Sequence, residues 1–468
     1  MTKNTLQKYT WILILAMFLP LVSLPAEETA DGGFAFGLGL NLGVETFPDP
    51  AGGDDITYQK IGFVPDFSFG KFGISMDLSF HIATATGAGD SFSVRKEDWV
   101  PAGDPDFGDY LQLYLSKFNY VRYGMKGDPL FVKLGNIDDG TLGTGFIMSN
   151  YNNTLFQPEE KLFGMMVDLD GKLFNFPYVG MESFVGNVAH PDVMGMRLFG
   201  RPLAWSTLPI IQHMEVGITV AGDRDPAFRE DYFTALTIFD AGGDGNLDFA
   251  IDPVYIWGLD VIQPILANPL VSLAGFASFA VEPNGASGAM LGFGGRLISF
   301  IPYVFQLRFL GDSFIPSYFD ATYDIYRAQK YAVMNGDITF DPFVGWFFSS
   351  GFSLLEDQIV FTAGLDGPFS PIPAGTTDGH SSAEYPHMRL TFRIEQGLLP
   401  GFFFDAYYDK QYITGFKEAF DPDGAVIGAN INYQTGPAII TLAYDFVYDP
   451  ITGDYTTTAK LVTSIGLF

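Results

Sequence analysis

The sequence predicts an all-β chain closed as a transmembrane, antiparallel, up-and-down β-barrel of about 20 strands, within a range of about 16–20. Three observations predict it. Apolar residues alternate with polar or small ones along most of the chain. Short connections alternate with long ones. The two ends fit an exported chain that closes on itself.

The alternation has period two. In "FGISMDLSFHI", Phe72, Ile74, Met76, Leu78, Phe80 and Ile82 share one face, and Gly73, Ser75, Asp77, Ser79 and His81 the other. In "HMRLTFRIE", Met388, Leu390, Phe392 and Ile394 oppose His387, Arg389, Thr391, Arg393 and Glu395. "YVFQLRFL" and "AVIGANINYQ" repeat the pattern. These are strands with one greasy and one polar face. The pattern breaks around "VDLDGKLFNFPYV" and "LYLSKFNYVRYGM", where a bulge and an unrecognised turn are both open readings.

A soluble sandwich also alternates, so the connections carry the distinction. Turns of a few residues lie within "GMKGDPLFVKL", "VIQPILANPLVSL", "GRLISFIPYVFQ", "IEQGLLPGFFFDAYY" and "NYQTGPAIITL". Between them run longer connections rich in acid, Gly and Pro: Thr84 to Asp109, Ile137 to Lys161, Gly222 to Pro253, Asp312 to Asn335 and Asp366 to Pro386. That asymmetry is the one a membrane barrel shows between its two rims. Pro129, Pro269, Pro302, Pro400 and Pro437 are expected at the first residue of a strand leaving a short turn, where no ladder donor is needed.

The chain begins "MTKNTLQKYTWILILAMFLPLVSLPAEE". Lys3 and Lys8 precede an apolar run from Trp11 to Leu24, and Ala26 precedes Glu27. Residues 1–26 read as a secretory signal peptide, with Leu24 an imperfect residue at the −3 position, and residues 27–468 as the barrel. No later segment carries the ~18 consecutive apolar residues of a membrane helix. The other end, "KLVTSIGLF", still alternates up to Leu467 and stops on Phe468. A barrel has no free edge only if its last strand pairs with its first, so a chain can stop inside a strand at that seam.

Composition narrows the function. There is no Cys among 468 residues, which excludes disulfides, thiolate metal sites and cysteine nucleophiles. Aromatics reach 16% while charged residues are only 17%, yet the net charge is −29. So acidic a chain repels phosphate backbones, and nucleic acid is not an expected partner.

These features together resemble bacterial outer-membrane porin-like barrels over almost the whole chain. The stretch "FVKLGNIDDGTLGTGFIMSNYNNTLFQPEEKLFGMMVDLDG" is similar to carbohydrate- and alginate-type porins, through Gly135, Gly143, Gly145, Asn150 and Gly164. It departs from them in lacking the basic residues usual in that loop. The terminal Phe468 resembles the assembly signal of bacterial outer-membrane proteins, though it falls on the small-residue face. Nothing resembles the plug of siderophore transporters or the hatch of fatty-acid transporters. The resemblance implies a bacterial outer-membrane location, outer-membrane lipid around the barrel, and recognition of the last strand by the barrel-assembly machinery. The implied function is passive diffusion of small hydrophilic solutes without cofactor or reaction, with some long loops folding inward to set a constriction. A substrate-specific channel and a surface-exposed adhesin or structural barrel are the alternatives. Solute identity and oligomeric state are not set by the sequence.

Two motifs have chemical readings. Asp240, Asp244, Asn246 and Asp248 place acidic oxygens at near-alternate positions with glycine between, as calcium loops do, but without EF-hand spacing; a hydrated acidic turn is the simpler reading, and no metal is expected. His380 and Ser382 have the spacing of an outer-membrane phospholipase pair, but Gly and Pro surround them, and no enzyme is expected.

Strand parity also names candidate pore-lining residues. Lys133, Arg197, Arg296, Arg308, Arg389 and Arg393 fall on inward positions, as do Asp77, Asp168, Glu182, Glu215, Glu395, Asp405 and Asp445. The wall is then near balance, and most of the acidic excess lies in loops. Either these bases pair with the inward acids, or they stay free and make the pore anion-leaning despite the chain's charge.

Overall fold

The computed structural model describes residues 34–47, 56–83, 93–101, 103–157, 160–208, 210–355, 357–370, 386–422, 425–435, 438–449 and 454–466. The expected leader, the His380–Ser382 pair and Phe468 lie outside them.

Every strand pairs antiparallel with its sequence neighbour, from Phe34–Phe47 with Ile56–Phe69 to Ala438–Asp449 with Asp454–Gly466. The ring closes where Gly39 to Val44 pair with Gly466 to Leu461. Counting Phe72–Met76 and Leu78–Ala83 as one strand broken at Asp77, and leaving aside the two-residue ribbon Ser93–Val94, 20 strands form the barrel. The seam therefore lies where the last strand ends.

Period two explains the wall. On Val254–Ala267, Tyr255, Trp257, Leu259 and Val261 are exposed, while Val254, Ile256, Gly258 and Asp260 are buried. The register carries each parity around the ring. Val261, Ala277, Leu291, Leu307 and Trp346 form one outward row. Asp260, Ser278, Met290, Arg308 and Gly345 form the inward row beside it. Among the described residues no helix is long and apolar enough to cross a membrane.

The rims differ, but less regularly than expected: connections 186–192 and 282–286 are short yet lie on the long-loop rim. Residues 70–71, 124–129, 171–178, 268–271, 298–300, 355–358 and 400–401 make short turns on one rim, and the connections 84–117, 136–163, 224–253, 311–342 and 369–386 leave the other. One connection, 201–214, is long yet lies on the short-turn rim. The prolines sit slightly off the expected position. Pro302 is the second residue of its strand; Pro129, Pro269 and Pro400 lie in the turns before theirs. A turn uses the fixed φ of proline just as well. Pro437 is outside the described residues.

The two breaks in parity are now explained. "VDLDGKLFNFPYV" contains a turn of 3-10 helix, Gly171–Phe174, between Gly164–Asp170 and Val179–Val185. "LYLSKFNYVRYGM" begins in the helix Phe107–Leu115, closed at its start by a reciprocal Asp106–Asp109 capping box, and only its second half is a strand.

The interior is not an empty tube. Connections 136–163, 224–253 and 311–342 fold inward and bury an apolar core that includes Ile137, Met148, Tyr151, Phe233, Phe239, Phe314 and Phe319. This core packs against inward residues of the wall, among them Phe131, Met166, Phe184, Val193, Ile256, Met290 and Leu310. The connection 311–342 contains the helix Tyr323–Asn335, which the strand reading missed; Gly336 ends it in a left-handed conformation.

Candidate channel and constriction

The inward loops hold one another by backbone pairing. Met148 and Phe319 form a parallel bridge. The N–H groups of Ser317 and Phe319 donate to the carbonyls of Phe146 and Ile147 at 2.8 and 3.1 Å. The side-chain amide of Asn153 donates to the Gly135 and Gly186 carbonyls, and its oxygen accepts from Ile137 N–H at 2.8 Å.

A charged knot ties this assembly to the rim. Arg327, on the inner helix and 3% exposed, lies 3.0 Å from Asp192, 3.3 Å from Asp223 and 2.6 Å from Asp324. The Tyr151 hydroxyl donates to Asp324 at 2.9 Å and the Tyr323 hydroxyl to Asp223 at 2.7 Å. Burial works against the guanidinium charge, but the Asp223, Asp324 and Asp192 carboxylates outweigh it and hold Arg327 well above the ordinary arginine range. Nearby, Lys330 pairs with Asp320 at 2.7 Å and donates to the Tyr318 carbonyl.

Below the loops the wall carries a second knot. Arg197, 1% exposed, donates two hydrogen bonds to Asp260 at 2.9 and 2.6 Å and one to Glu182 at 2.8 Å. Arg201 joins Asp170 to Glu215. Gly143, in a left-handed conformation, brings the loop down and donates its N–H to Glu182 at 2.8 Å. Gly217 makes room for the pair: a Cβ there would lie 2.6 Å from both Arg197 and Asp260.

The register puts Lys133, Arg197, Arg296, Arg308, Arg389 and Arg393 on the inward face, together with Asp168, Glu182, Glu215, Asp405 and Asp445. Asp77, at the strand break, meets Lys60 from inside, and Glu395 pairs with the inward Arg393. Each of the six bases has a carboxylate within 4 Å. Besides the Arg197 contacts, Lys133 meets Asp138, Arg296 Asp357, Arg308 Asp366, Arg389 Asp409 and Arg393 Glu395. Of the two charge readings, pairing is the one this geometry favours. Exposure grades these groups. Arg296, Arg393 and Glu395, toward the short-turn rim, are 52%, 53% and 48% exposed although they point inward. Arg308 and Arg197, nearer the loops, are buried. Arg296, Arg393 and Glu395 are thus more open to solvent at the short-turn rim than Arg308 and Arg197 beside the loop assembly.

Two cavities remain beside that assembly. One of about 540 Å³ is lined by Asn119, Tyr120, Arg122, Lys133, Asn136, Asp138, Thr154 and Gln157. Another of about 510 Å³ meets Gln157 from the other side, and its walls include Glu45, Lys60, Asp77, His81, Lys117, Glu160 and Lys161. His81 is held between Glu45 and Asp98 at 2.9 and 2.8 Å. Burial lowers the pKa of Lys117 and of Lys161, against the pull of Asp98 on the first and Asp77 on the second. Of these residues, strand parity gives Lys133 and Asp77 as pore-lining candidates and puts Ser79 and His81 on the same polar face as Asp77. Lys60 shares the inward parity with them and was legible in principle. Lys117, Gln157 and Lys161 lie in loops, where parity gives no signal.

The acidic turn is self-contained. Asp240 accepts N–H bonds from Asp244 and Gly245, Asp248 one from Ala241, and Asp244 one from Asn246. These bonds close the loop on itself; among the described residues no group of three potential metal ligands converges.

No family model matches the chain, and no curated protein matches it. Solved structures do. The chain is similar to OpdL of Pseudomonas aeruginosa at 8% identity, covering 93% of this chain and 99% of that one with a TM-score of 0.31. It is similar to OccK11 (OpdR) of the same organism at 11%, covering 95% and 100% with 0.33, and to its outer membrane protein OprD at 10%, covering 94% and 95% with 0.30. With superposition scores of this size, the fold of this chain rests on its own strand register.

Proposed function

We propose that the protein is a porin-like channel of a bacterial outer membrane that lets small hydrophilic solutes diffuse passively. The outer wall is a continuous apolar surface with exposed aromatics such as Phe34, Phe69, Phe72, Tyr123 and Phe402 near the short-turn rim, as a girdle at a lipid interface requires. One observation carries the channel: inward charged side chains at that rim are half exposed, so water reaches the inside of the wall. A 20-stranded ring is too wide for its own side chains to fill, and here inward loops narrow it instead. Transport of this kind requires no reaction and no cofactor. The last strand is what the barrel-assembly machinery would engage.

A second reading, a substrate-specific channel, is favoured by the two cavities at Gln157, because they are lined by both signs of charge and are of small-molecule size. Single-channel recording in planar bilayers separates the readings. A stable ohmic conductance supports diffusion. A small conductance blocked saturably by one class of solute supports specificity. No conductance from correctly folded protein would overturn both. Orientation is tested separately: a tag at Asp244 reaches antibody on intact cells, and tags beside Pro302 and Pro400 do not.

A further inference from the structure

The connection 201–214 stands apart in three respects. It is long on the rim of short turns. Its segment "PLAWSTLPIIQHM" contains no Asp, Glu, Lys or Arg, in a chain with 54 acidic residues. It also turns outward: the Gln263 side-chain amide, on the same parity as the exposed Tyr255, Trp257, Leu259 and Val261, donates to the Ile210 carbonyl on the barrel's outer surface. Trp205, at 73% exposed, Leu208 and Ile210 stand free there. The adjoining turn 171–178 touches it, through Arg201 N–H to the Tyr178 carbonyl at 2.7 Å, and exposes Leu173, Phe174 and Phe176.

The strands above explain why such a surface is built. Gly164–Asp170, Val179–Val185 and Val193–Gly200 have 7, 7 and 8 residues, against 14 in Val254–Ala267. At ~3.3 Å per residue and a tilt of ~40°, the shorter strands rise only about 18–20 Å. The apolar band of a membrane barrel is about 25 Å tall. We infer that segment 201–214 and turn 171–178 form a membrane-interface anchor, seated among the lipids of the leaflet on the short-turn side, which completes the apolar band where the strands are too short to do so. Part of the backbone suits that place, because four of its donors are met within the segment: Ala204 N–H by Arg201, Ser206 by Leu203, Ile211 by Leu208 and Met214 by Ile211. Trp and Tyr are the side chains that membrane interfaces collect. The inference rests on the membrane-barrel reading above.

Two single-tryptophan proteins test it, one keeping Trp205 and the other Trp257, with all other tryptophans replaced by phenylalanine. Both are reconstituted in phosphatidylcholine vesicles brominated either near the acyl carbonyl or near the acyl end, and folding is checked by heat-dependent gel mobility. Trp205 emission is expected to fall roughly twofold with the shallow bromines and little with the deep ones, as for an interfacial ring. If Trp257 is quenched by lipid while Trp205 instead responds only to aqueous iodide, the anchor is wrong and the barrel reading stands. If Trp257 also ignores the lipid, the barrel reading fails. If Trp205 is shielded from both quenchers and crosslinks to a second copy, the segment is a subunit interface and the inference is overturned. Because the chain has no native Cys, a polarity-sensitive dye on Leu208→Cys gives an independent reading: a blue-shifted emission on reconstitution supports the anchor, and an unchanged aqueous spectrum refutes it.

Discussion

Two arcs of the same ring are built on opposite terms. From Leu130 to Leu310 the inward face toward the long-loop rim is apolar, with Met166, Phe184, Val193, Ile256 and Met290 under the infolded loops. From His387 through the seam the inward face is polar: Arg389, Thr391 and Arg393 on one strand, Asp405, Asn430, Asn432 and Thr441 on the next ones. In the first arc a strand is apolar on both faces near that rim, because lipid takes one side and protein the other. In the second arc water takes the inner side. Infolded loops thus convert half of the barrel wall into a protein core, and charge pairs buried in that core matter more than the same pairs in the other arc.

That contrast is broken most directly at Arg327. Replacing it (Arg327→Met) leaves the Asp192, Asp223 and Asp324 carboxylates facing one another without a cation. Losing one partner of a buried ion network costs about 3–5 kcal/mol. Connection 311–342 is expected to loosen, with faster amide exchange across residues 323–335 and a larger single-channel conductance. Unchanged exchange there would show that the apolar contacts alone hold the loops.

Gly217→Ala asks whether the knot below the loops depends on space. Its Cβ would press on both Arg197 and Asp260, and overpacking of this kind costs about 1–3 kcal/mol. A lower unfolding temperature is expected, and the matched change Gly415→Ala, in a position with nothing near its Cβ, should leave it unmoved.

Glu282 sharpens the comparison through pH. One carboxyl oxygen accepts the Ile315 N–H at 2.9 Å and the other is buried with no partner. Burial pushes its pKa up from 4.5 to about 8, against the lowering effect of that N–H. An acid with a raised folded value binds more protons folded than unfolded. Its contribution is therefore full below 4.5, falls as pH rises through the window to about 8, and is then lost. The slope in that window is at most about 1.4 kcal/mol per pH unit. Thermal melts should show Glu282→Gln flattening the pH dependence of stability between those values; parallel curves for the two proteins would refute it.

The smallest effect belongs to the wet arc. Arg393 sits beside Glu395 in contact with solvent, where a pair is worth little, and Arg389 lies beside the buried Asp409 that His387 also holds. Replacing both by alanine leaves Glu395 without its cation and Asp409 with His387 alone, 2.9 Å away. Reversal potentials in a salt gradient should move toward cation selectivity, with conductance changed by less than about twofold. A shift toward anions, or strong cation selectivity already present and unmoved by the change, would contradict the paired wall.

Much of the barrel was written in local pattern. Alternation at Phe72 to Ile82 or His387 to Glu395 fixes two faces whatever lies beyond the strand, because the side-chain period is a backbone property. A chain still alternating at Gly466 needs a partner for its last strand, and Leu40 and its neighbours supply it. The tertiary structure alone decided what fills the ring. Arg327 meets Asp192 across a separation of 135 residues, and Tyr323 meets Asp223 across 100. No period links such positions. The helix Tyr323–Asn335 is buried on nearly every side, so it lacks the one-sided stripe by which a helix announces itself in sequence. Its apolar and charged residues read as an ordinary loop until Asp192, Asp223 and Asp320 close around them, and a charge inside a protein is tolerated only when such partners arrive from elsewhere in the fold.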